Sequence, residues 1–348
     1  MIYSQKLIIK ILKILKINDL LYKNSIYYNY IVKMDNIGAY IGSGLGNQLF
    51  KIFAVISYYI DNKCNDYILY QLNDNGYREY FWNTVFKNIS NKVSFNKVVS
   101  FDKNISEIYN EPFFHYKEIP IFNSDTILNG FFQSHKYFEH NICKIREIIG
   151  IDEQINEVLL KYPEYTVNKT ISIHHRIGDA ALTFDGFENQ LNHPIHKPKY
   201  YINAFKTLIN KGIDIYDYDI LYFCEAENNK IVNYYNLEIN SALKELTGKD
   251  LRYKKVSDDI PDWEQLFIMT SAKHYIIPNS TFSWFGAYLS SSIDSIVCYP
   301  KTWFGPTYNH FNTVDLYPNN WIKIDEGYNA NDLLPETYHQ YIKNIENK

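Results

Sequence analysis

Cysteine is scarce in this chain, and Cys64, Cys143, Cys224 and Cys298 stand far apart with no CxxC pair. That spacing argues against a zinc site and against a disulfide framework, and fits a reduced compartment. An excess of positive charge is missing too. Lys plus Arg number 35 against 39 Asp plus Glu, a net charge of -4. No basic field is available to hold a polynucleotide backbone, so nucleic acid is not an expected partner. Long apolar runs are also lacking. In KLIIKILKILKI, residues 6–17, lysines break every apolar stretch well short of the roughly 20 residues a membrane span requires. No internal repeat is visible. The expected location is cytoplasmic, either soluble or peripherally attached to a membrane.

Tyrosine, asparagine, isoleucine and lysine are abundant, with 33 Tyr. They suggest aromatic carbohydrate platforms, but AT-rich coding produces the same bias and explains it without function. Lys6, Lys10, Lys13 and Lys16 recur at helical spacing. Residues 1–33 therefore read as a basic amphipathic extension able to lie on a membrane surface through residues 6–17, or as an ordinary packed helix or a disordered arm. Translation starting at Met34 is a further reading, tested by removing residues 1–33 and assaying what remains. The Asn-x-Ser/Thr triplets at Asn104 and Asn168 are expected by chance in an Asn-rich chain.

At 348 residues two medium domains are expected. A strand at 36–41 runs into GSGLG, then into a helix with Leu49, Ile52, Phe53, Ile56 and Ile60 on one face. Strands are also expected at 67–72 and 127–132, and helices at 135–149 and 151–162. A boundary near 167–169 opens a second series: strand 170–174, helix 199–211, strand 220–224, helix 228–235, helix 262–271, strand 274–277, helix 283–290 and strand 295–299. Strands alternating with helices imply a parallel sheet covered on both faces. In such sheets ligands bind beyond the carboxyl ends of the strands.

Three segments there carry chemistry. Gly42, Gly44 and Gly46 let the backbone turn tightly before a helix N-terminus whose free N–H groups suit an anion, although a plain tight turn fits equally. ISIHHRIGD sets His174, His175, Arg176 and Asp179 at a strand end, where an Arg can fork two hydrogen bonds onto a diphosphate. Its alternative is an ion pair with Asp179. IIPNSTFSWFGAYL offers Asn279, Ser280, Thr281 and Ser283 at a helix start. One hydroxyl would suffice for capping, and three exceed that need.

Together, GSGLGNQLF, HHRIGD and NSTFSWFGAYL resemble the signature blocks of the alpha-1,2-fucosyltransferases of glycosyltransferase family 11. NGFFQSHKYFE at 129–139, PKYYINAF at 198–205 and YPKTWFG at 299–305 support the likeness, which covers roughly 36–325. The resemblance implies an α/β fold of GT-B type, two Rossmann-like domains facing across a cleft. On that division residues 34–168 form the acceptor-side domain, 169–325 the nucleotide-sugar domain and 326–348 a helical tail. It also implies GDP-fucose as donor, a glycan hydroxyl as acceptor, inversion at the anomeric carbon, and no cofactor or catalytic metal. By similarity Arg176 contacts the diphosphate and His174 lies near the nucleoside. Ser280, Thr281, Phe282 and Ser283 line the phosphate pocket, and Gly44, Gly46 and Asn47 reach it from the first domain.

The chain departs from the family in two places. Ile177 stands where a second Arg is common, which removes a cation. The acidic pair usually written FSDD reads Phe223, Cys224, Glu225, Ala226, leaving Glu225 as the candidate reader of the base. Asp179 is the candidate general base and catalytic partner of Arg176, with Asp185 and Glu188 behind it. Asp217-Tyr218-Asp219 spells the DxD of metal-dependent transferases but precedes its strand, so it reads as a turn. His193 and His196 flank a loop proline and read as solvated or acceptor-contacting. Another nucleotide sugar, a protein acceptor, or a catalytically silent glycan-binding relative are the alternative functions.

Overall fold

The computed structural model describes residues 36–71, 79–95, 107–167, 169–178 and 191–326. The amphipathic extension, Asp179, Asp185, Glu188 and the C-terminal tail beyond Glu326 lie outside the described residues.

Two fully parallel sheets organise the molecule. In the first, β1 (Ile37–Ile41), β2 (Tyr67–Gln71), β3 (Val93–Ser94), β4 (Glu107–Asn110) and β5 (Thr126–Asn129) stand in the order β3-β2-β1-β5-β4. In the second, β6 (Thr170–His174), β7 (Asp219–Phe223), β8 (Arg252–Lys255), β9 (His274–Ile276), β10 (Val297–Pro300) and β11 (Ile322–Ile324) stand in the order β11-β10-β9-β6-β7-β8. The chain enters this sheet at its middle, winds outward through β7 and β8, then crosses to the other side through β9, β10 and β11. The direction of winding reverses between β6 and β9. A doubly wound sheet opens its ligand crevice at that point, beyond the carboxyl ends of the two strands. Both sheets are of the parallel α/β type expected for Rossmann-like units.

The helices follow from apolar spacing. α1 (Leu45–Asn62) is buried along almost its whole length. α2 (Ile142–Ile149) and α3 (Ile151–Lys161) meet at Gly150, whose φ of 73° suits glycine. The second domain adds α4 (Pro198–Asn210), α5 (Asn229–Thr247), α6 (Asp262–Met269) and α7 (Thr281–Tyr288). The expected helix at 135–149 is divided: 3-10 turns occupy His135–Tyr137 and Glu139–Asn141 before α2 begins. Asn141 sends its side chain back to Ser57 Oγ at 3.1 Å and Asp61 at 2.7 Å, a use of the amide that competes with regular helix. The expected strand at 127–132 ends at Asn129, since Phe132 sits at φ 51°.

The domains share one core. Phe50 of α1 packs on Trp284 and Phe285 of α7 at ring centroid distances of 4.6 and 4.7 Å, and Phe53 lies 5.2 Å from Phe285. Polar ties reinforce it. Lys161 and Tyr162 both bond Glu264, and Arg146 Nη1 donates to the Leu289 carbonyl at 2.9 Å.

Candidate functional site

α1 and α7 start at the carboxyl rims of their sheets, and their first turns abut. A Cβ on Gly46 would lie 2.5 Å from the Thr281 carbonyl oxygen and 2.6 Å from the Phe282 nitrogen. Gly46 is therefore required for close helix approach. A Cβ on Gly44, which precedes α1, would meet open space. Asn47 accepts a 2.7 Å hydrogen bond from Gln133 Nε2, which fastens the start of α1 to the loop after β5. Two helix N-termini, each the positive end of a dipole, thus converge on one place, an arrangement that favours an anion between them.

Ser280 holds the N-cap position of α7 with extended dihedrals, yet its side chain makes no capping hydrogen bond. Capping, the bland explanation for the hydroxyl cluster, is not its use here. Ser283 is fully buried and donates to the Ser280 carbonyl at 3.3 Å, so its hydroxyl braces the turn. Thr281 and Phe282 are half-buried at the helix start. Phe282 also reaches β6, its ring centroid 5.6 Å from that of His174. The three sequence blocks are therefore brought together: the glycine turn touches α7 at Thr281 and Phe282, and α7 touches the end of β6 at His174.

Arg176 follows β6 at the winding reversal and is half-buried. Ile177, at the position of the absent second cation, is buried in the apolar core of the second domain. Backbone alternation turns residue 176 outward and residue 177 inward, so a cation at 177 would enter the core. Gly178 has φ 69°, a turn conformation open to glycine. Burial, then the neighbouring His175 and Arg176, push the His174 imidazole down to about 3. His175 is pushed down to about 3 by burial, and its Nε2 meets Asn236 Oδ1 at 3.1 Å. Both rings are neutral at pH 7, so the local positive charge belongs to Arg176.

Asn279 organises the rim. Its Nδ2 donates to the carbonyls of Pro194 at 3.1 Å and Trp303 at 3.0 Å, and its buried Oδ1 has no partner among the described residues. Glu225 lies just past β7, exposed, with Asn228 Nδ2 on its carboxylate at 3.3 Å. Asp217 and Asp219 lie at the opposite, amino end of β7, where Arg252 pairs with Asp219 at 2.8 Å. His196 corrects the expectation of a solvated loop histidine: it is buried, its Nδ1 2.5 Å from Glu326.

Sequence reasoning passed over buried Lys51 and half-buried Glu111 in the first sheet's half, which act on each other electrostatically. Lys51, one helical turn beyond Asn47, is pushed down to about 8 by burial against the opposing pull of Glu111. Glu111 accepts from the backbone N–H groups of Phe131 and Phe132 at 2.8 and 2.9 Å. A lysine in an apolar stripe and a glutamate in a loop give no signal of their meeting.

Residues 243–325, which include Asn279 and α7, match Glycosyl transferase family 11. That match covers about a quarter of the chain and shows a likeness to the family over that stretch. Two Escherichia coli proteins resemble it. An alpha-1,2-colitosyltransferase is 25% identical over 203 residues, 57% of this chain and 62% of that protein. The O-antigen biosynthesis glycosyltransferase WbnK is 26% identical over 114 residues, 32% of this chain and 36% of WbnK. The chain thus matches less than two thirds of the length of either relative. Among solved structures, an Arabidopsis thaliana FUT1 mutant in complex with GDP aligns over 81% of this chain and 74% of its own. Its TM-score is 0.42 at 12% identity. Escherichia coli ADP-heptose LPS heptosyltransferase II aligns over 89% and 97%, with a TM-score of 0.40 at 9% identity.

Proposed function

We propose that the chain is an inverting glycosyltransferase that moves fucose or a close deoxyhexose from a guanosine diphosphate donor to a glycan hydroxyl. The observation that carries this reading is Arg176 just past β6 at the winding reversal of the second sheet, two residues beyond His174, which meets Phe282 at the start of α7, where two helix N-termini abut and the N-cap hydroxyl makes no capping hydrogen bond. A guanidinium and convergent backbone N–H groups meet the need of the reaction, which is to stabilise a diphosphate as negative charge accumulates on it.

On this reading Arg176 forks onto the diphosphate while Ser280, Thr281 and the α7 N-terminus hold its other oxygens. His174, neutral and near Phe282, borders the nucleoside, and Glu225 offers a carboxylate to the base from the neighbouring strand end. Displacement then runs in one step: the acceptor oxygen bonds to the anomeric carbon from the open face as the carbon–phosphate oxygen bond breaks. No cofactor enters the scheme. Colitose, named for one relative, is the second donor sugar to test. Incubation with GDP-fucose, other GDP sugars and UDP sugars tests the reading. Release of GDP from a GDP sugar, abolished in Arg176→Ala, is the expected result; release from UDP sugars alone would move the donor class.

A further inference from the structure

His193 occupies a junction that donor binding leaves unused. Its backbone neighbours are pinned on both sides. Gly305 N donates to Asn192 O at 2.8 Å, Thr307 N donates to Leu191 O at 3.0 Å, and Asn279 holds the Pro194 carbonyl. The ring is pinned as well, 5.6 Å from Phe304 and 6.3 Å from Tyr308 by centroids. Phe304 in turn packs edge-on against Phe114 of the first domain at 4.9 Å. His193 therefore stands where the two domains meet above the carboxyl rims. Its Nδ1 is enclosed without a partner among the described residues, and the ring as a whole is half-buried, so Nε2 is the nitrogen left to serve an incoming group.

We propose that His193 is the proton acceptor of the transfer reaction, through Nε2. The inference rests on the glycosyl-transfer reading. The acceptor O–H bond gives its electron pair to the new bond with the anomeric carbon, and the proton passes to Nε2. The bond from that carbon to the phosphate oxygen breaks, and its pair leaves with the nucleoside diphosphate. Burial and the nearby Arg176 charge hold the imidazole down to about 4, so it is neutral and vacant at pH 7. The same charge makes the imidazolium a short-lived product that returns its proton to water. The rings of Phe304 and Tyr308 around His193 suit the apolar face of a sugar ring, which would bring the acceptor hydroxyl to the imidazole.

The test measures transfer from GDP-fucose to lactose by the full chain and by His193→Ala, His193→Gln and Asp179→Asn, with GDP binding by calorimetry as the check of fold. His193→Ala is expected to keep GDP affinity and donor KM within about twofold and to lose about 100-fold in kcat. Added imidazole should restore part of the loss, which a packing role would not allow. The proposal is overturned by a kcat within about threefold of wild type, by full activity in His193→Gln, or by imidazole-insensitive loss. It is equally overturned if Asp179→Asn alone carries the kcat defect. Wild-type protein that binds GDP yet transfers nothing to lactose and releases no GDP from GDP-fucose would sink the transfer reading itself.

Discussion

At the scale of single residues, Arg176 and Gly46 carry the most weight. Arg176→Lys keeps one positive charge but loses the planar fork, so donor KM should rise about tenfold while the fold is kept; steady-state kinetics with circular dichroism checks both. Gly46→Ala acts differently, because its methyl would strike backbone atoms of Thr281 and Phe282 that cannot rotate away. A loss of about 1–3 kcal/mol or more is expected in denaturant titration, with donor affinity lowered as α7 shifts. The sequence showed that a glycine turn stands before α1, but not which glycine faces open space and which meets another helix. That difference depends on α7, which comes close only after both domains fold. Ile177 was legible as a departure from the family pattern; its inward orientation required the sheet.

Among the elements, α1 and α7 show how far an apolar pattern can be read. The stripe on α1 marked a core helix, and the aromatic run before Tyr288 marked another, but their mutual packing has no local signal. Trp284 is fully buried, against Phe50 and Tyr288, and donates from its indole to the Leu316 carbonyl at 2.9 Å. Trp284→Ala should therefore lose about 3–5 kcal/mol, measured by urea titration. α5 runs to Thr247, well past the expected end at 235, and Gly248 stops it at φ 76°. Its buried Val232, Tyr235, Asn236, Ile239 and Leu243 form a helical stripe diluted by Asn, a weak helix former in which the period is easily lost. β8 was missed because RYKK is a charged sheet edge, where alternation yields to edge protection. The rim that holds Arg176 was found because a buried strand ending in HHR is a strong local pattern.

For the whole molecule, the winding order of the second sheet decides where a ligand goes, and the shared core decides how the domains behave. The apolar faces of α1 and α7 cover each other, so heating should give one cooperative transition for both domains. Two well-separated calorimetric peaks would contradict this. Stability should also fall in acid. His175 and His274 are buried and held at about 3 and about 4, and His274 Nδ1 accepts the Ile296 N–H at 3.1 Å. Below the unfolded value near 6.5 the unfolded chain gains protons that the folded chain refuses. Each ring then removes up to about 1.4 kcal/mol per pH unit, between about 6.5 and its folded pKa. The melting temperature should be highest above pH 6.5 and drop by pH 5; an unchanged value would refute the assignment. The most direct test of the central claim is calorimetric titration of wild type and Arg176→Ala with GDP, UDP, ADP and GMP. A nucleoside diphosphate should bind wild type, its monophosphate at least tenfold more weakly, and Arg176→Ala should lose about 100-fold, roughly 2.7 kcal/mol. Equal diphosphate affinity in wild type and Arg176→Ala would contradict a diphosphate clamp at the rim of the second sheet.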